Sequence, residues 1–480
     1  MNFIYDFLDR LEDALKTGFD ELIKIIDAND EYNAEFRKAS ELIRKSNKGW
    51  SIDGRRFTDM DTARRNLLIV ANSGLGKSQT HVLPTILNAS SSMLINDNSS
   101  ELATSIPYLQ SKSIDTYILN LLKKGEVYIN VLDGLLGDVA GIRRVSKSII
   151  GKPSGGENNF FTMYAEDCLS LFIQHVLEAE PKVHANLGNV YRLILEYQAN
   201  PEVVERYMAE TASPDVWRKF LALSKNSEKT LKSIIATCLS ELSWLGENPV
   251  LCDITSCTTI SYKQFREKQT ALFIQSPPND TFYAKMIALI FQSFYRFAFS
   301  YLPDPNKELD ILMIQDEFSS LIPGLPDYSQ IISNSRKFLI PQAIILQDIS
   351  QLSPFGQLKD NIISNCYVKC FYGGIDSKKA LEIERMLGNY SYVDKKTKQT
   401  KKRPLIYASE IQQLDGEILV LSSNKKPIKT KITPAYKQPK LQKCLKMESP
   451  VAEHPPVEYG IQYIDLDPYR EPTNIDNDEL

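Results

Sequence analysis

Lys77 and Ser78 close a run of small residues, Ala71-Asn72-Ser73-Gly74-Leu75-Gly76-Lys77-Ser78, whose types suit the chemistry of holding a polyphosphate. The run matches G-x-x-x-x-G-K-[ST], with Ala71 in place of the first glycine. Main-chain N–H groups must point inward at phosphate oxygens, and only small residues let the backbone come that close. Lys77 would reach the β- and γ-phosphates. Ser78 would place its hydroxyl on Mg2+, and Gln79 closes the nucleotide-binding stretch that begins at Ala71. Ala71 keeps a Cβ, which costs little if its φ stays negative.

A second set of residues lies far downstream. The apolar run Ile311-Leu312-Met313-Ile314 ends in Gln315, Asp316 and Glu317. An acid at the tip of a buried strand can hold Mg2+, and its neighbour can activate an attacking water. Asp316 is assigned to the metal and Glu317 to the general base. Either acid alone could be a helix cap. Paired with the glycine-bearing loop, they predict a nucleotide site for ATP or GTP. Gln347 ends the run Ala343 to Leu346, where its amide could sense a γ-phosphate. Arg336 sits just ahead of that run. It could serve a neighbouring subunit as an arginine finger, or form a surface ion pair.

These groups need a scaffold. Leu67–Val70 is a short continuous apolar run before the loop, as a central parallel strand should be. Further strand-like runs fall at 92–97, 116–121, 270–275, 311–314, 343–346, 367–372, 417–421 and 428–432. Strands alternating with helical stretches predict an α/β sheet. From about Phe160 to Gly246 the apolar residues instead fall at helical spacing, which predicts an all-helical insertion. The expected domains are a helical segment at 1–56, a motor domain split between 57–150 and 251–437, the inserted all-helical domain at 151–250, and a flexible acidic, Pro-containing tail at 438–480. Gly151 to Gly156 reads as a linker.

The first 50 residues read as helical, the first half amphipathic and the second basic (Arg37, Lys38, Arg44, Lys45, Lys48), with the charges taken as a solvated face. The basic stretch Lys395 to Arg403 reads as a solvated hairpin tip, with a DNA-phosphate contact as the lesser alternative.

The composition narrows the class. The chain has 480 residues, a hydrophobic fraction of 43%, a charged fraction of 24% and a formal net charge of −4. That surface is not a general polyanion binder, so any DNA contact must come from a local basic lining. Seven cysteines in a chain this long do not make a disulfide framework and suit a reducing compartment. The pairs Cys252/Cys257 and Cys366/Cys370 read as packing residues rather than zinc ligands. No apolar run approaches the roughly 20 residues that cross a bilayer.

With these motifs in order, the chain resembles the TraG/TraD-like type IV secretion-system coupling proteins, the ATPases of conjugative DNA transfer. The resemblance runs from about residue 57 to 435. It rests on the phosphate loop followed by HVLPTIL, on NDNSSEL at 96–102 where the family has D-P-K-G-E-L, and on YINVLD at 128–133 in place of Y-N-P-L. It rests most on QDEFSSLIPGLPDYSQIISNSRKFLIPQAIILQDISQL at 315–352, and closes with NIISNCYVKCFYGG and RPLIYASEIQQL.

It implies a RecA-like P-loop domain with an all-α insertion, using ATP and Mg2+. It also implies a hexameric ring passing DNA through its pore, and a trans-acting arginine at Arg336. The implied partners are DNA, a relaxase and the secretion channel. Ser99 replaces the lysine of D-P-K-G-E-L. The family's N-terminal membrane anchor is not seen, so the expected location is the cytoplasm, peripheral to the inner membrane through partners. Two alternatives stand beside this reading: a receptor for secreted protein cargo on the same fold, and an FtsK/HerA-like DNA pump.

Overall fold

The structure is a computed structural model that describes residues 33–151, 158–277, 281–448 and 459–470. A nine-stranded sheet runs through it in the order β11-β10-β7-β1-β6-β5-β2-β4-β3. The strands are β1 (Leu67–Val70), β2 (Ser92–Asp97), β3 (Asp115–Asn120), β4 (Thr270–Gln275), β5 (Ile311–Gln315), β6 (Gln342–Leu346), β7 (Val368–Phe371), β10 (Glu417–Ser422) and β11 (Lys425–Lys431). From β3 to β7 all pairings are parallel, and β10 and β11 close that edge antiparallel. Every expected strand is present. A separate hairpin, β8 (Asn389–Val393) and β9 (Thr400–Pro404), is additional.

The central strands are buried on both faces, which is why they read as unbroken apolar runs. Leu67 and Ile69 point to one face, and Leu68 and Val70 to the other. On the first face lies α1 (Leu83–Asn88), which follows a π-type turn at Ser78–Val82, together with α2 (Ile106–Ser111). The other face carries a helical layer. It comprises α3 (Val139–Ile150), α4 (Asn158–Ala179), α5 (Leu187–Ala199), α6 (Pro201–Thr211), α7 (Pro214–Ser224), α8 (Glu228–Gly246) and α9 (Pro249–Ile254), with α10 (Thr281–Phe299) between it and the sheet. Helix α3 already belongs to this layer, because Ile142, Val145 and Ile149 are buried in it ahead of the 151 boundary. Apart from Gly151, the expected linker lies outside the described residues.

Two polar devices set the site-bearing strands in register. Arg64, just before β1, donates from Nε and Nη2 to the two carboxylate oxygens of Asp310, just before β5, both at 2.9 Å. This two-pronged contact fixes two strands that do not touch. Asn66, at φ 65°, accepts from Gln342 N at 2.9 Å and Ser335 Oγ at 3.0 Å, and donates to Asn365 O at 3.1 Å. One buried amide therefore ties the starts of β1, β6 and β7. Asn is among the few residues that tolerate this left-handed backbone.

Two expectations are corrected. Residues 1–32 lie outside the described residues, but 33–56 are not helical. They form a strap with a single 3-10 turn, Ala39–Glu41. Leu42, Ile43, Trp50 and Ile52 are buried against the α1 face of the sheet, and the main chain bonds to 57–58 and to Pro427 and Asn389. The sheet edge and the 57–58 segment thus supply partners that a helix would otherwise provide internally. The basic residues are bracing groups: Arg37 donates to Ser422 Oγ at 2.6 Å and Lys48 to Asn88 Oδ1 at 3.0 Å.

The second correction concerns the tail. Pro439–Leu445 is a helix, α13 once α11 (Tyr328–Asn334) and α12 (Ser377–Leu387) are counted. Residues 459–470 lie against the helical layer with Ile464 and Leu466 buried. Their apolar side chains find sockets there, so this part of the tail is fixed.

Candidate functional site

The parallel strands all deliver their C-terminal ends to one edge of the sheet, where α/β folds place ligand sites. The loop after β1 folds there as a cradle. Gly74 and Gly76 adopt φ of +80° and +78°, the region that favours glycine. Ala71 is not among the positive-φ residues. Its N–H donates to Leu346 O at 3.1 Å, so it continues the β1–β6 pairing and its Cβ is accommodated. Asn72 Nδ2 donates to Gly374 O at 2.9 Å, which tethers the loop to the segment after β7. Ser73, Gly74 and Leu75 are exposed at its tip.

Lys77 turns its ammonium back into the loop, donating to Ala71 O at 2.8 Å and Asn72 O at 3.3 Å. Burial lowers its pKa, while the charges of Asp316 and Glu317 raise it. Ser78 Oγ donates to Asp316 Oδ2 at 2.8 Å. Burial raises the Asp316 pKa, against the Ser78 bond and the Lys77 charge. Strand order explains the meeting. Only β6 separates β1 from β5, so the loop and the downstream acids share one edge.

Glu317 adopts φ 56° and ψ 51° ahead of a short helix at Phe318–Leu321. A non-glycine residue pays for this conformation, and such strain clusters at functional sites. The turn aims its carboxylate at the tip of β6. Gln347 Nε2 donates to Glu317 Oε1 and Oε2 at 3.1 and 3.2 Å, and Ser319 Oγ donates to Oε1 at 3.0 Å. The structure therefore brings Lys77, Ser78, Asp316, Glu317 and Gln347 together. Arg336 stands apart. It is exposed in the turn after α11, near the entry end of β6, whereas Gln347 follows the exit end.

Two residues at the site escaped the sequence reading. Asn96, near the tip of β2, donates to Asp316 O at 2.8 Å, and its Oδ1 is buried with no partner. Gln79 donates to a carboxylate oxygen of Glu101, and its own Oε1 is likewise unpartnered. The Glu101 charge also reaches Asp316. The available signal was their place at and after a buried strand tip, the same signal that exposed Asp316.

The donor set suits a magnesium–nucleotide pair. There is a cradle of small residues, a cation inside it, a hydroxyl on a carboxylate, and unpartnered acceptors in the surrounding shell. Orphaned buried acceptors are rare in folded proteins, and a hydrated divalent cation would supply them with water donors.

Beneath the loop, His81 anchors the helix that follows. Nδ1 lies 2.9 Å from Ser51 O, and Nε2 is 2.9 Å from Tyr372 OH. Burial lowers its pKa to about 4, so the ring is neutral at pH 7. It then donates from Nδ1 and accepts at Nε2. The basic stretch forms the tip and second strand of the β8–β9 hairpin. Lys401 pairs with Asp394 at 2.5 Å and Arg403 with Glu410 at 3.2 Å.

The family model described as "Type IV secretory system Conjugative DNA transfer" matches residues 26–456. Among curated proteins, Protein VirD4 of Rhizobium rhizogenes is 22% identical over 411 residues, covering 79% of this chain and 60% of the relative. Protein VirD4 of Agrobacterium fabrum (strain C58 / ATCC 33970) matches with the same identity and coverage. The chain thus spans about 60% of the length of these relatives. Among solved structures, the bacterial conjugative coupling protein TrwBdeltaN70 in complex with sulphate aligns with a TM-score of 0.63 at 16% identity, over 84% of this chain and 94% of that one. The plasmid coupling protein TrwB in complex with ADP and Mg2+ aligns with a TM-score of 0.61 at 16% identity and the same coverage. The likeness is one of fold: an α/β, RecA-like P-loop core with an all-α unit. Among the described residues, no helix is long and apolar enough to cross a membrane.

Proposed function

The chain belongs to the type IV secretory system conjugative DNA transfer family, and from that premise we propose that it is an ATP-driven coupling protein that moves DNA toward a type IV secretion channel. The observation that carries the reading is the 2.8 Å contact from Ser78 Oγ to Asp316 Oδ2. It joins the phosphate-loop hydroxyl to the acid that would complete a magnesium site. Residues 57–150 and 251–437 are read as the halves of the motor, 151–250 as its helical insertion.

In this reading, residues 71–79 cradle the phosphates through their amides. Ser78 and Asp316 would hold Mg2+, with Asn96 and Glu101 close by as further acceptors. The bound ion supplies charge neutralisation on the β- and γ-phosphates. Lys77 adds a second positive charge from inside the loop, and its partial burial strengthens that field. Glu317 accepts the proton of the attacking water. Gln347, already on that carboxylate, orients it and registers the γ-phosphate. Arg336 acts on a neighbouring subunit's site, since it lies at the far end of β6 from its own. That role requires an oligomer, taken here as a hexameric ring with DNA in its pore. A relaxase–DNA complex and the channel proteins are the partners, and the protein works on the cytoplasmic side of the membrane.

The test is ATP hydrolysis with and without single- and double-stranded DNA, in the wild type and Lys77→Ala. Turnover that rises with DNA and is lost in the variant supports the reading. Turnover indifferent to both kinds of DNA in an assembled ring would sink it.

A further inference from the structure

The chain leaves the sheet after β7 and returns at β10. Because β7 runs parallel to β1 and β10 antiparallel to β7, both ends of this excursion lie at the edge that carries the phosphate loop. Its root is tied there. Gly374 N donates to Gln412 O at 2.8 Å, Gln412 Nε2 donates to Ile375 O at 3.2 Å, and Asn72 of the loop donates to Gly374 O at 2.9 Å. Ile383, Ile406 and Ile411 are buried and give the excursion a small core of its own. The β8–β9 hairpin extends from that core into solvent: from Tyr392 to Lys402 every residue except Asp394 is exposed.

The tip holds its shape without a core. Asp394 N donates to Gln399 O at 2.9 Å, and Lys398 N donates to Asp394 O at 2.8 Å. The Asp394 carboxylate accepts from Lys396 N at 2.8 Å, Thr397 N at 3.2 Å and Lys401 Nζ at 2.5 Å. That acid is the only one in 394–403, against six cations, in a chain whose formal net charge is −4. Lys401 and Arg403 are paired, whereas Lys395, Lys396, Lys398 and Lys402 have no acid partner among the described residues.

Aromatic rings are interleaved with the charge. The register sets Tyr390 opposite Arg403 and Tyr392 opposite Lys401, so one face of the hairpin alternates rings and cations. The Arg403 guanidinium lies 5.8 Å from the Tyr390 ring centre and 4.8 Å from that of Tyr407. Tyr390 is thereby braced, and its ring centre stands 6.0 Å from that of Tyr392, which stays 38% exposed. An open ring beside unpaired lysines is the arrangement that grips a single strand, the cations on phosphates and the ring on a base. An anionic bilayer would ask instead for a broad apolar face, and beyond Tyr392 only Val393 is a large exposed apolar residue in the hairpin.

We propose that the β8–β9 hairpin is a contact arm for single-stranded nucleic acid, with Lys395, Lys396, Lys398 and Lys402 on the phosphates and Tyr392 stacked on a base. The proposal rests on the coupling reading and deepens it by naming a surface that holds DNA. The Asn72 tether joins the root of that arm to the phosphate loop.

The experiment follows the anisotropy of a fluorescein-labelled oligothymidylate on the full chain over a range of salt. Lys395→Gln/Lys396→Gln/Lys398→Gln/Lys402→Gln should weaken binding about tenfold or more. It should also lower the slope of log affinity against log salt by about 3, the value for four phosphate contacts on a single strand. Tyr392→Ala should weaken binding about tenfold with the slope unchanged. Both variants should melt with the wild type, since the altered side chains are exposed. If the fourfold variant melts early, Lys395→Gln/Lys396→Gln repeats the measurement with a slope change about half as large. Wild-type binding that neither variant alters overturns the proposal and leaves the coupling reading standing. A loss confined to the lysine variants overturns it too, because the arm then reads charge alone. So does preference for duplex DNA or for phosphatidylserine vesicles over the oligothymidylate. A wild type that binds no DNA of either kind overturns the proposal and the coupling reading together.

Discussion

The amide of Gln347 donates to both carboxylate oxygens of Glu317, at 3.1 and 3.2 Å, although the two residues end different strands. The bond holds the carboxylate in place and gives any change at the tip of β6 a direct route to it. Glu317→Gln should lower ATP turnover about 10²–10⁴-fold, the range for loss of a general base, with nucleotide affinity near wild type. Gln347→Ala should lower turnover less, again without loss of binding. Steady-state hydrolysis beside fluorescent-nucleotide titration checks both, and a large loss of affinity in either variant would contradict the assignment.

Arg336 and Gln347 flank opposite ends of β6, and the proposed reading therefore assigns the arginine to a site outside its own subunit. Arg336→Ala alone should lose about 10³-fold or more in turnover. Mixed with Glu317→Gln, it should regain part of it, since some interfaces then carry an intact glutamate and an intact arginine. Mixtures no more active than either parent would rule out the trans role.

His81 gives the fold a defined pH response. Burial is the main cause of its lowered pKa, partly offset by the Ser51 carbonyl and the Asp53 charge. With a folded value of about 4 against the ordinary histidine value of 6.5, the unfolded chain binds more protons between these limits. Stability is then complete above pH 6.5 and falls as pH drops toward 4. The gap corresponds to on the order of 3 kcal/mol. His175, also lowered to about 4 by burial, acts in the same window. Urea denaturation across pH 4–7 should show a shallower slope for His81→Gln than for the wild type, and an unchanged slope would count against a buried neutral ring.

Asn66 should matter for stability without touching the site. Asn66→Ala leaves the Gln342 N–H, the Ser335 hydroxyl and the Asn365 carbonyl without this partner. It also puts alanine at φ 65°. The expected cost is about 2–4 kcal/mol. Asn66→Gly relieves the backbone only and should recover about 1 kcal/mol of that. Equal melting of both variants and the wild type would contradict the tie.

Much of this was legible in the sequence for a simple reason. Strands buried on both faces must be apolar throughout, so Leu67–Val70, Ile311–Gln315 and Gln342–Leu346 stand out against polar loops. Residues at their exit tips then meet by topology. The hairpin β8–β9 was hidden because its strands are largely exposed and charged, with no apolar alternation to reveal them. The 33–56 strap was misread because Leu42, Ile43, Trp50 and Ile52 satisfy helical spacing as well as they satisfy a sheet face. Asn96 and Glu101 were missed because their role shows only in contacts with Asp316 and Gln79. Ile461, Ile464 and Leu466 were too few, among prolines and acids, to outweigh the composition around them.

The neighbours of β1 on both sides come from the last third of the chain: Leu67 pairs with Ala343 and with Val368. During synthesis, then, the loop at 71–78 leaves the ribosome long before anything can flank it. A chain made only as far as β5 cannot close the pocket proposed for the nucleotide. On the proposed reading, early turnover is held off by the order in which the ribosome delivers the strands, and a chain cut anywhere before β6 lacks both flanks of the loop.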